Sequence, residues 1–535
     1  MKIESLEIKS KFKNLNNIKI DFNTEHFMTV IVGRNGSGKS NVLEALVSIF
    51  RNLDLGESPL FSYEIVYSLE GDGRQKTIKV IADHTQETLS KQYKIEYSTD
   101  RTTWTKVAIS KVKRDKEGQS VYLPRHVFAY YSGPSDRLEN YFIKHRSDFY
   151  YKLLKNQLDI QGEMRPMFYA KPVHSQFVLL AFFLDQEDTE GKDFLKDYMG
   201  IESLESVHFI LRKPGWAKKE NENDIFWGAD GVVRQFLDKL LPQALAPIKV
   251  NGEESSGFLA KKGSNEFLHL KIPSYEKLMQ VSDGLSVDHF FKMLESTLLS
   301  ELLAEVRIHV KVKNVDEVLS FRELSEGEQQ LLTLLGLLKF TGGKDSLFLL
   351  DEPDTHLNPS WTVDYFKFLE QFTENKESTQ VMLATHHPLA IAELKKERVK
   401  IMWKNEAQKV MASEPLEDPI GMGYGGLLTS ELFGLRSDLD SKTLKLLDEH
   451  AILLAKDDLT PIEKERIKTL KDELDKYGFL EAYSDPYFSA FVKAWKNREA
   501  KTIKQRRTLS QEDLAKLSSM ADDILAEIEA EEKDV

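Results

Sequence analysis

Two periodicities divide the chain. Between residues 60 and 130 apolar and polar positions alternate with period two in SYEIVYSLE, TIKVIAD and YKIEYST, and turn signals such as Gly71-Asp72-Gly73 separate the runs. Residues two apart on a strand share a face, so this alternation predicts an antiparallel β layer ending at Val127–Pro134. MKIESLEIKSKF alternates in the same way and gives a strand over 3–8. FMTVIV gives a second strand over 27–32, which runs straight into a glycine-rich loop and a helix from Ser40 to Ile49. From 135 to 305 the pattern is mixed and mostly helical. Strand patterns return at Arg307–Lys313, Ser346–Leu350 and Gln380–Ala384 and alternate with helices in the βα manner of a parallel sheet. After about residue 425 the β signal disappears, and 440–535 reads as charged and helical. The fold class is therefore α/β, with no internal repeat and no sustained heptads between 40 and 320.

Composition narrows this picture only in places. A chain of 535 residues is too long for one compact core, so two to four lobes are expected. A net charge of −13 argues against a protein that coats nucleic acid over its whole surface, while leaving room for a local basic groove. The absence of cysteine excludes disulfides and thiolate zinc sites. The most apolar run, Phe177 to Leu184, is too short to span a bilayer, and the N-terminus lacks the apolar core of a signal peptide. The expectation is a cytoplasmic protein with no membrane partner.

The chemistry lies in four short motifs. Gly33-Arg34-Asn35-Gly36-Ser37-Gly38-Lys39-Ser40 is GxxxxGKS between a strand and a helix, the context a P-loop requires. Backbone amides from Gly33 through Gly38, with Asn35, Gly36 and Ser37 between them, would cradle the β-phosphate at the positive end of the helix. Lys39 would reach the β- and γ-phosphates of ATP, and the Ser40 hydroxyl would coordinate Mg2+. Ser346-Leu-Phe-Leu-Leu-Asp351-Glu352-Pro353 is an apolar strand ending in two carboxylates, the Walker B pattern. Asp351 is expected in the magnesium shell and Glu352 as the base or positioning group for the attacking water. Ala384-Thr385-His386-His387-Pro388 follows another apolar strand. There His386 is expected to sense the γ-phosphate, with His387 as a loop residue. The remaining histidines are scattered, without metal-ligand spacing.

The fourth motif is LSEGEQQ, residues 324–330, ahead of the apolar helix LLTLLGLLKF. Ser325 with Glu328 three residues on forms a capping box. A small residue, a glycine and free amides at a helix start also make an anion site, yet no lysine follows to anchor a phosphate. Such a site makes sense as half of a sandwich.

In this order, GRNGSGKS, LSEGEQQ, LLDEP and ATHH resemble the ABC-type ATPase heads of SMC, RecF, RecN and OLD proteins. The resemblance implies an ABC-type P-loop head, a mixed sheet with an antiparallel β layer. It makes LSEGEQQ the signature motif and Asp354–Asn358 the D-loop. It also implies a dimer with ATP at the interface, Ser325 and Gly327 acting in trans and Glu328 beside them on the nucleotide. Phe12-Lys13-Asn14-Leu15 resembles a segment beside the nucleotide in these heads; Lys13 is there either a phosphate or ribose contact or a solvent lysine. The family's Q-loop glutamine has no counterpart near Val127–Pro134, and Gln157 and Gln161 serve only if that loop is displaced.

YYSGPSDRLE, YAKPVHSQFVLLAFF and GGLLTSELFGLRSDLD are similar to the restriction-system-associated ATPases, the group that includes the ATPase of the Septu anti-phage defence system. This implies assembly with, and control of, a separate HNH nuclease subunit, a homodimer or higher homo-oligomer, and nucleic acid reached through the complex. The chain then divides into 1–134 and 306–425 as the two halves of the ATPase head, 135–305 as a mainly helical insertion, and 426–535 as a helical partner-binding domain. No strand-end glutamate with a later DxD, and no paired histidines on a ββα pattern, follow residue 425, so no nuclease site is expected in cis. The competing reading is a RecF- or SMC-like repair ATPase that clamps DNA itself. In the tail, Leu514, Leu517, Ala521, Ile524 and Ile528 take heptad spacing behind a basic run, Lys501–Arg507. That helix either docks on its own lobe or on a partner.

Overall fold

The computed structural model describes residues 1–71, 74–115, 120–155, 165–218, 224–254, 263–315, 317–341, 345–373, 375–456 and 458–477. The chain divides into two units, Met1–Glu414 and Pro415–Val535. The first unit holds three sheets. Its centre is a seven-stranded sheet in the order Val410–Ser413, Val399–Lys404, Met28–Gly33, Thr379–Ala384, Ser346–Asp351, His126–Tyr131, Met167–Tyr169. All neighbours are parallel except the first pair. Strands Met28–Gly33, Ser346–Asp351 and Thr379–Ala384 are buried at every position, as parallel strands covered on both faces must be. Their register brings Asp351 level with Ala384 on one side and Tyr131 on the other, and Ala384 level with Ile31. The strand ends therefore converge on one carboxyl edge, where ligands of such sheets bind.

The second sheet is antiparallel, in the order Ile18–Asp21, Lys2–Ile8, Tyr63–Gly71, Arg74–Ala82, Tyr93–Ser98, Thr105–Val107. The period-two runs form it, and Ile65, Tyr67, Ile78 and Val80 all turn inward. Helix Lys39–Leu55 shares one core with both sheets; Phe50 meets the edge of the Tyr67 ring at 5.3 Å. Every residue of this helix from Val42 to Phe50 is buried, around its whole circumference. At roughly 1.5–3 kcal/mol for each large apolar side chain removed from water, that burial fixes the start of the helix against the sheet edge.

Two strands differ from their expected sheets. His126–Tyr131 lies beside Ser346–Asp351 in the parallel sheet and does not close the antiparallel layer. The reason is legible in HVFAYY, an unbroken buried run that needs cover on both faces. Leu303–Val312, containing RIHVKVK, belongs to a third, antiparallel sheet. Its order is Ile248–Glu254, Gly263–Ile272, Ile201–Arg212, Leu303–Val312, Val318–Ser320. Here alternate positions are buried and solvent-facing, the pattern of a one-sided strand. The reading of 135–305 as mainly helical did not anticipate this sheet, although helices Ile143–Leu154, His174–Leu184, Gly231–Leu240 and Val287–Leu299 all lie in that segment. The run Phe177–Leu184 is part of the buried helix His174–Leu184. Among the described residues no helix is long and apolar enough to cross a membrane.

The second unit contains helices Gly423–Thr429, Ser441–Leu454 and Pro461–Asp475. Asp440 caps the second through the amides of Lys442 and Thr443, and Thr460 with Glu463 forms a capping box on the third. Leu446, Leu453, Leu470 and Leu474 make a small core between the last two. The tail helix and the run Lys501–Arg507 lie outside the described residues.

Candidate nucleotide site

The glycine-rich loop leaves the Met28–Gly33 strand with Gly33, Gly36 and Gly38 all at positive φ (147°, 77° and 103°). A Cβ at Gly33 would lie 2.1 Å from the Met402 carbonyl oxygen, so glycine is required by both conformation and space. Lys39 is buried, and its Nζ donates to the Gly33 carbonyl at 2.8 Å. The lysine thus folds across its own loop; burial also lowers its pKa, against the attraction of Glu352 and Asp351. The Ser37 hydroxyl is buried with no hydrogen-bond partner among the described residues. An orphaned hydroxyl and a buried lysine bonded to a loop carbonyl fit a phosphate chain. Asn14 closes the loop from outside, donating to the Gly36 carbonyl at 3.0 Å and accepting from Asn41 at 2.6 Å.

At the sheet edge the Ser40 hydroxyl donates to Asp351 Oδ1 at 2.9 Å. Burial pushes the Asp351 carboxyl up to about 6, against the pull of Ser40 and Arg137. A hydroxyl paired with a buried carboxylate is an oxygen donor set that fits magnesium. Glu352, the next residue, sits at φ 51°, a left-handed conformation that costs a non-glycine residue of order 1–3 kcal/mol. Its amide is held by the Ala384 carbonyl at 2.8 Å, and its Oε1 lies 3.2 Å from His386 Nδ1. That hydrogen bond lowers the Glu352 pKa and raises that of His386. The pair keeps Glu352 ionised, as a base must be.

The two histidines of the motif divide. His386 lies against Glu352, whereas His387 turns back to accept the Leu389 amide as cap of the next helical turn. Thr385 donates to the buried Asp354 at 2.6 Å, tying this strand end to the D-loop. A hydrogen bond to a charged group is worth about 1.5–3 kcal/mol, so His386→Ala should slow turnover roughly 10- to 150-fold. His387→Ala should leave turnover within a few-fold, because only a cap is lost; steady-state phosphate release compares the two.

The signature is built separately. The Ser325 amide and hydroxyl both donate to Glu328 Oε2, at 2.7 and 2.8 Å, and Ser325 Oγ accepts the Glu328 amide at 3.3 Å. This capping box opens helix Glu326–Thr341. Gly327 lies flush against the D-loop, where a Cβ would be 2.3 Å from the His356 carbonyl oxygen, and Gln330 donates to the Pro353 carbonyl at 2.5 Å. The P-loop, Asp351, Glu352 and His386 therefore gather at one edge, while the helix that Ser325 and Glu328 cap lies against the D-loop at Gly327 and is tied by Gln330 to Pro353 just before it. Lys13, at φ 54°, is ion-paired with the buried Glu44 of the P-loop helix.

Sequence reasoning missed Asn14, Glu44 and Arg137. Arg137 donates to Asp351 Oδ2 at 2.9 Å, three residues beyond Val127–Pro134, the stretch without a Q-loop glutamine. Within that stretch Ser132 reaches the D-loop, donating to the Thr355 hydroxyl at 3.2 Å. Gln157 and Gln161 lie outside the described residues.

A P-loop, a strand-end Asp-Glu pair and a histidine-bearing strand on this mixed sheet, with the signature helix fastened to the D-loop, define an ABC-type P-loop ATPase. The chain resembles PtuA: it is 26% identical over 196 residues to the Septu protein PtuA of Bacillus mycoides (strain KBAB4), a match covering 35% of this chain and 27% of that relative. The chain thus spans about a quarter of the relative's length. Residues 1–161 match the family described as "AAA ATPase domain", and residues 184–392 match the one described as "AAA domain, putative AbiEii toxin, Type IV TA system". Among solved structures, the SMC head domain from Thermotoga maritima is similar at 12% identity and a TM-score of 0.32, over 77% of this chain and 99% of that one. An SMC head bound to the C-terminal winged-helix domain of ScpA is similar at 13% identity and a TM-score of 0.34, over 77% and 98%.

Proposed function

We propose that the chain is the ATP-hydrolysing subunit of an anti-phage defence complex, that two copies close head to head around ATP, and that the assembly holds and controls a separate HNH nuclease subunit. The observation that carries the dimer is the division of the site. The hydrolytic groups stand at one sheet edge, while the anion-binding helix start of the signature is bound to its own D-loop and lacks a lysine of its own. A second copy supplies what each half lacks. The likeness to the Septu protein PtuA supports the defence role, and the nuclease partner is what the family resemblance of the sequence implies.

In this reading the P-loop amides and Lys39 bind the phosphates, Lys39 leaving the Gly33 carbonyl to do so. Ser40 and Asp351 would hold Mg2+, which when bound supplies charge neutralisation to the phosphates. Glu352 takes the proton of the attacking water, and His386 hydrogen-bonds both Glu352 and the γ-phosphate, so that loss of that phosphate is felt at the base. Ser325, Gly327 and Glu328 close the partner's site.

Mixing chains tests the trans arrangement. Lys39→Ala and Ser325→Arg should each be inactive alone, and together should regain roughly one competent site per heterodimer. No recovery under verified subunit exchange would show that the signature does not act in trans. For the partner, the chain should co-purify from its own cells with an HNH nuclease. A chain that purifies alone and hydrolyses ATP only on DNA would instead support a RecF- or SMC-like clamp.

A further inference from the structure

Two carboxylates at the site are all but sealed from water: Asp351 on its strand and Glu44 on the P-loop helix, each 1% exposed. An ionised carboxylate taken out of water is costly unless a cation or hydrogen bonds replace the solvent. Lys13 meets one oxygen of Glu44. Arg137 serves the remainder: its Nη2 donates to Asp351 Oδ2 at 2.9 Å, and its Nε lies 3.4 Å from Glu44 Oε1. One guanidinium thus spans the helix that follows the phosphate loop and the strand that carries Asp351.

The latch is only partly closed. Among the described residues Arg137 Nε and Glu44 Oε1 are both buried without a hydrogen-bond partner, so that ion pair lacks hydrogen-bond geometry. The guanidinium rests on the Tyr131 ring, 5.0 Å from its centroid. Gly133 presses on the same ring, leaving no room for a Cβ, which would fall 2.1 Å from the Tyr131 hydroxyl. Residues 132–138 lead from the strand paired with Ser346–Asp351 directly into the helices of 139–154. Beside this loop lies a cavity of about 230 Å³, lined by Tyr130, Pro134, Asp136, Tyr169 and Lys171 among others. The loop therefore has space to move into.

We propose that Arg137 is a positioning residue that acts as a latch: it pairs with Asp351 while magnesium is not bound, beside a Glu44 already paired with Lys13, and gives up Asp351 when magnesium and nucleotide load, so that residues 132–138 and the helices they lead into report loading. The inference rests on the reading of the P-loop as a magnesium–nucleotide site. Its physical basis is competition. Arg137 and a divalent cation held by Ser40 and Asp351 want the same carboxylate, and like charges sharing one carboxylate repel each other. A side chain with Glu44 and Tyr131 still in reach can withdraw without being stranded.

The test uses the full chain with Arg137→Gln, which removes the charge, and Arg137→Lys, which keeps it. Binding of a fluorescent ATP analogue is titrated with magnesium from EDTA upward, and hydrogen exchange of residues 132–138 is followed with and without magnesium–ATP. Arg137→Gln should reach half-maximal magnesium response at about tenfold lower concentration, the factor carried by one charge-assisted hydrogen bond. Arg137→Lys should stay near wild type. In wild type magnesium–ATP should speed exchange of the loop, and in Arg137→Gln exchange should be fast in both states. An unchanged magnesium midpoint in Arg137→Gln with nucleotide binding intact overturns the latch. So does loss of nucleotide binding in EDTA and magnesium alike, which would make Arg137 a nucleotide ligand. Wild-type protein that binds no nucleotide would instead overturn the reading of the P-loop itself, and the two failures are told apart in one titration.

Discussion

Glu352→Gln should lower ATP turnover by about 10²–10⁴-fold, the usual contribution of a positioned general base, while leaving nucleotide binding within a few-fold. The substitution keeps the shape of the side chain and removes its charge and basicity. The groups that would bind nucleotide are left in place: Lys39 still spans its loop, and Ser40 still donates to Asp351. The backbone of residue 352 is held at φ 51° by the bond of its amide to the Ala384 carbonyl, so the glutamine amide should stand where the carboxylate stood. A second consequence follows at His386, whose pKa is raised chiefly by the Glu352 hydrogen bond. With an uncharged partner it should titrate at lower pH, which NMR of the imidazole reports. Single-turnover hydrolysis set against fluorescent-nucleotide binding separates the roles. Equal loss of both would make Glu352 a binding residue and not a base. Under the dimer proposal the variant should also accumulate as an ATP-bound dimer by light scattering.

Glu352 also shows how far the sequence carries. An apolar run ending in Asp-Glu says that the carboxylates emerge at a strand end, since six consecutive buried positions leave no other exit. It does not say that Glu352 is left-handed, or that His386 rather than His387 turns toward it, because both depend on the hydrogen bonds between neighbouring strand ends. The P-loop was legible residue by residue because its chemistry is local to eight positions. Arg137 was not: it lies 214 residues from Asp351, and only the pairing of His126–Tyr131 with Ser346–Asp351 brings them together. That pairing is obscured because HVFAYY is the next strand pattern after the alternating runs, and nothing local assigns it to a different sheet. The third sheet was missed for a related reason. Its strand Ile201–Arg212 carries register shifts that break the period-two signal, with irregularities against Leu303–Val312 at three points.

The largest stability effect is expected away from the nucleotide, at Glu295. Arg165, His174 and Glu295 are 6%, 2% and 3% exposed, and they join the Val287–Leu299 helix, the His174–Leu184 helix and the residues entering the Met167–Tyr169 strand. Glu295 is ion-paired with Arg165 through one oxygen and lies 2.8 Å from His174 Nε2 through the other, while His174 Nδ1 accepts the Lys171 amide at 2.8 Å. Removing the acid leaves a guanidinium in a sealed interior, its faces on the rings of Phe168 and Phe149. Breaking one partner of such a pair costs about 3–5 kcal/mol, so Glu295→Gln should lower the urea midpoint sharply. Replacing both Arg165 and Glu295 by methionine should recover most of that loss, because no buried charge is then left alone. Acid should reproduce the single variant in the wild type. Burial alone would raise the Glu295 carboxyl, but His174 and Arg165 beside it overcome that and hold the pKa down at about 2. A carboxyl depressed in the folded state contributes stability that is fully present above its unfolded value, near 4.3, and is lost as pH falls toward 2. Wild-type stability should therefore drop between about pH 4 and 2 more steeply than that of Glu295→Gln, whose amide does not titrate. A cost below about 1 kcal/mol for Glu295→Gln, with parallel pH profiles for the two proteins, would mean that water reaches the pair and that these helices are held by apolar packing alone.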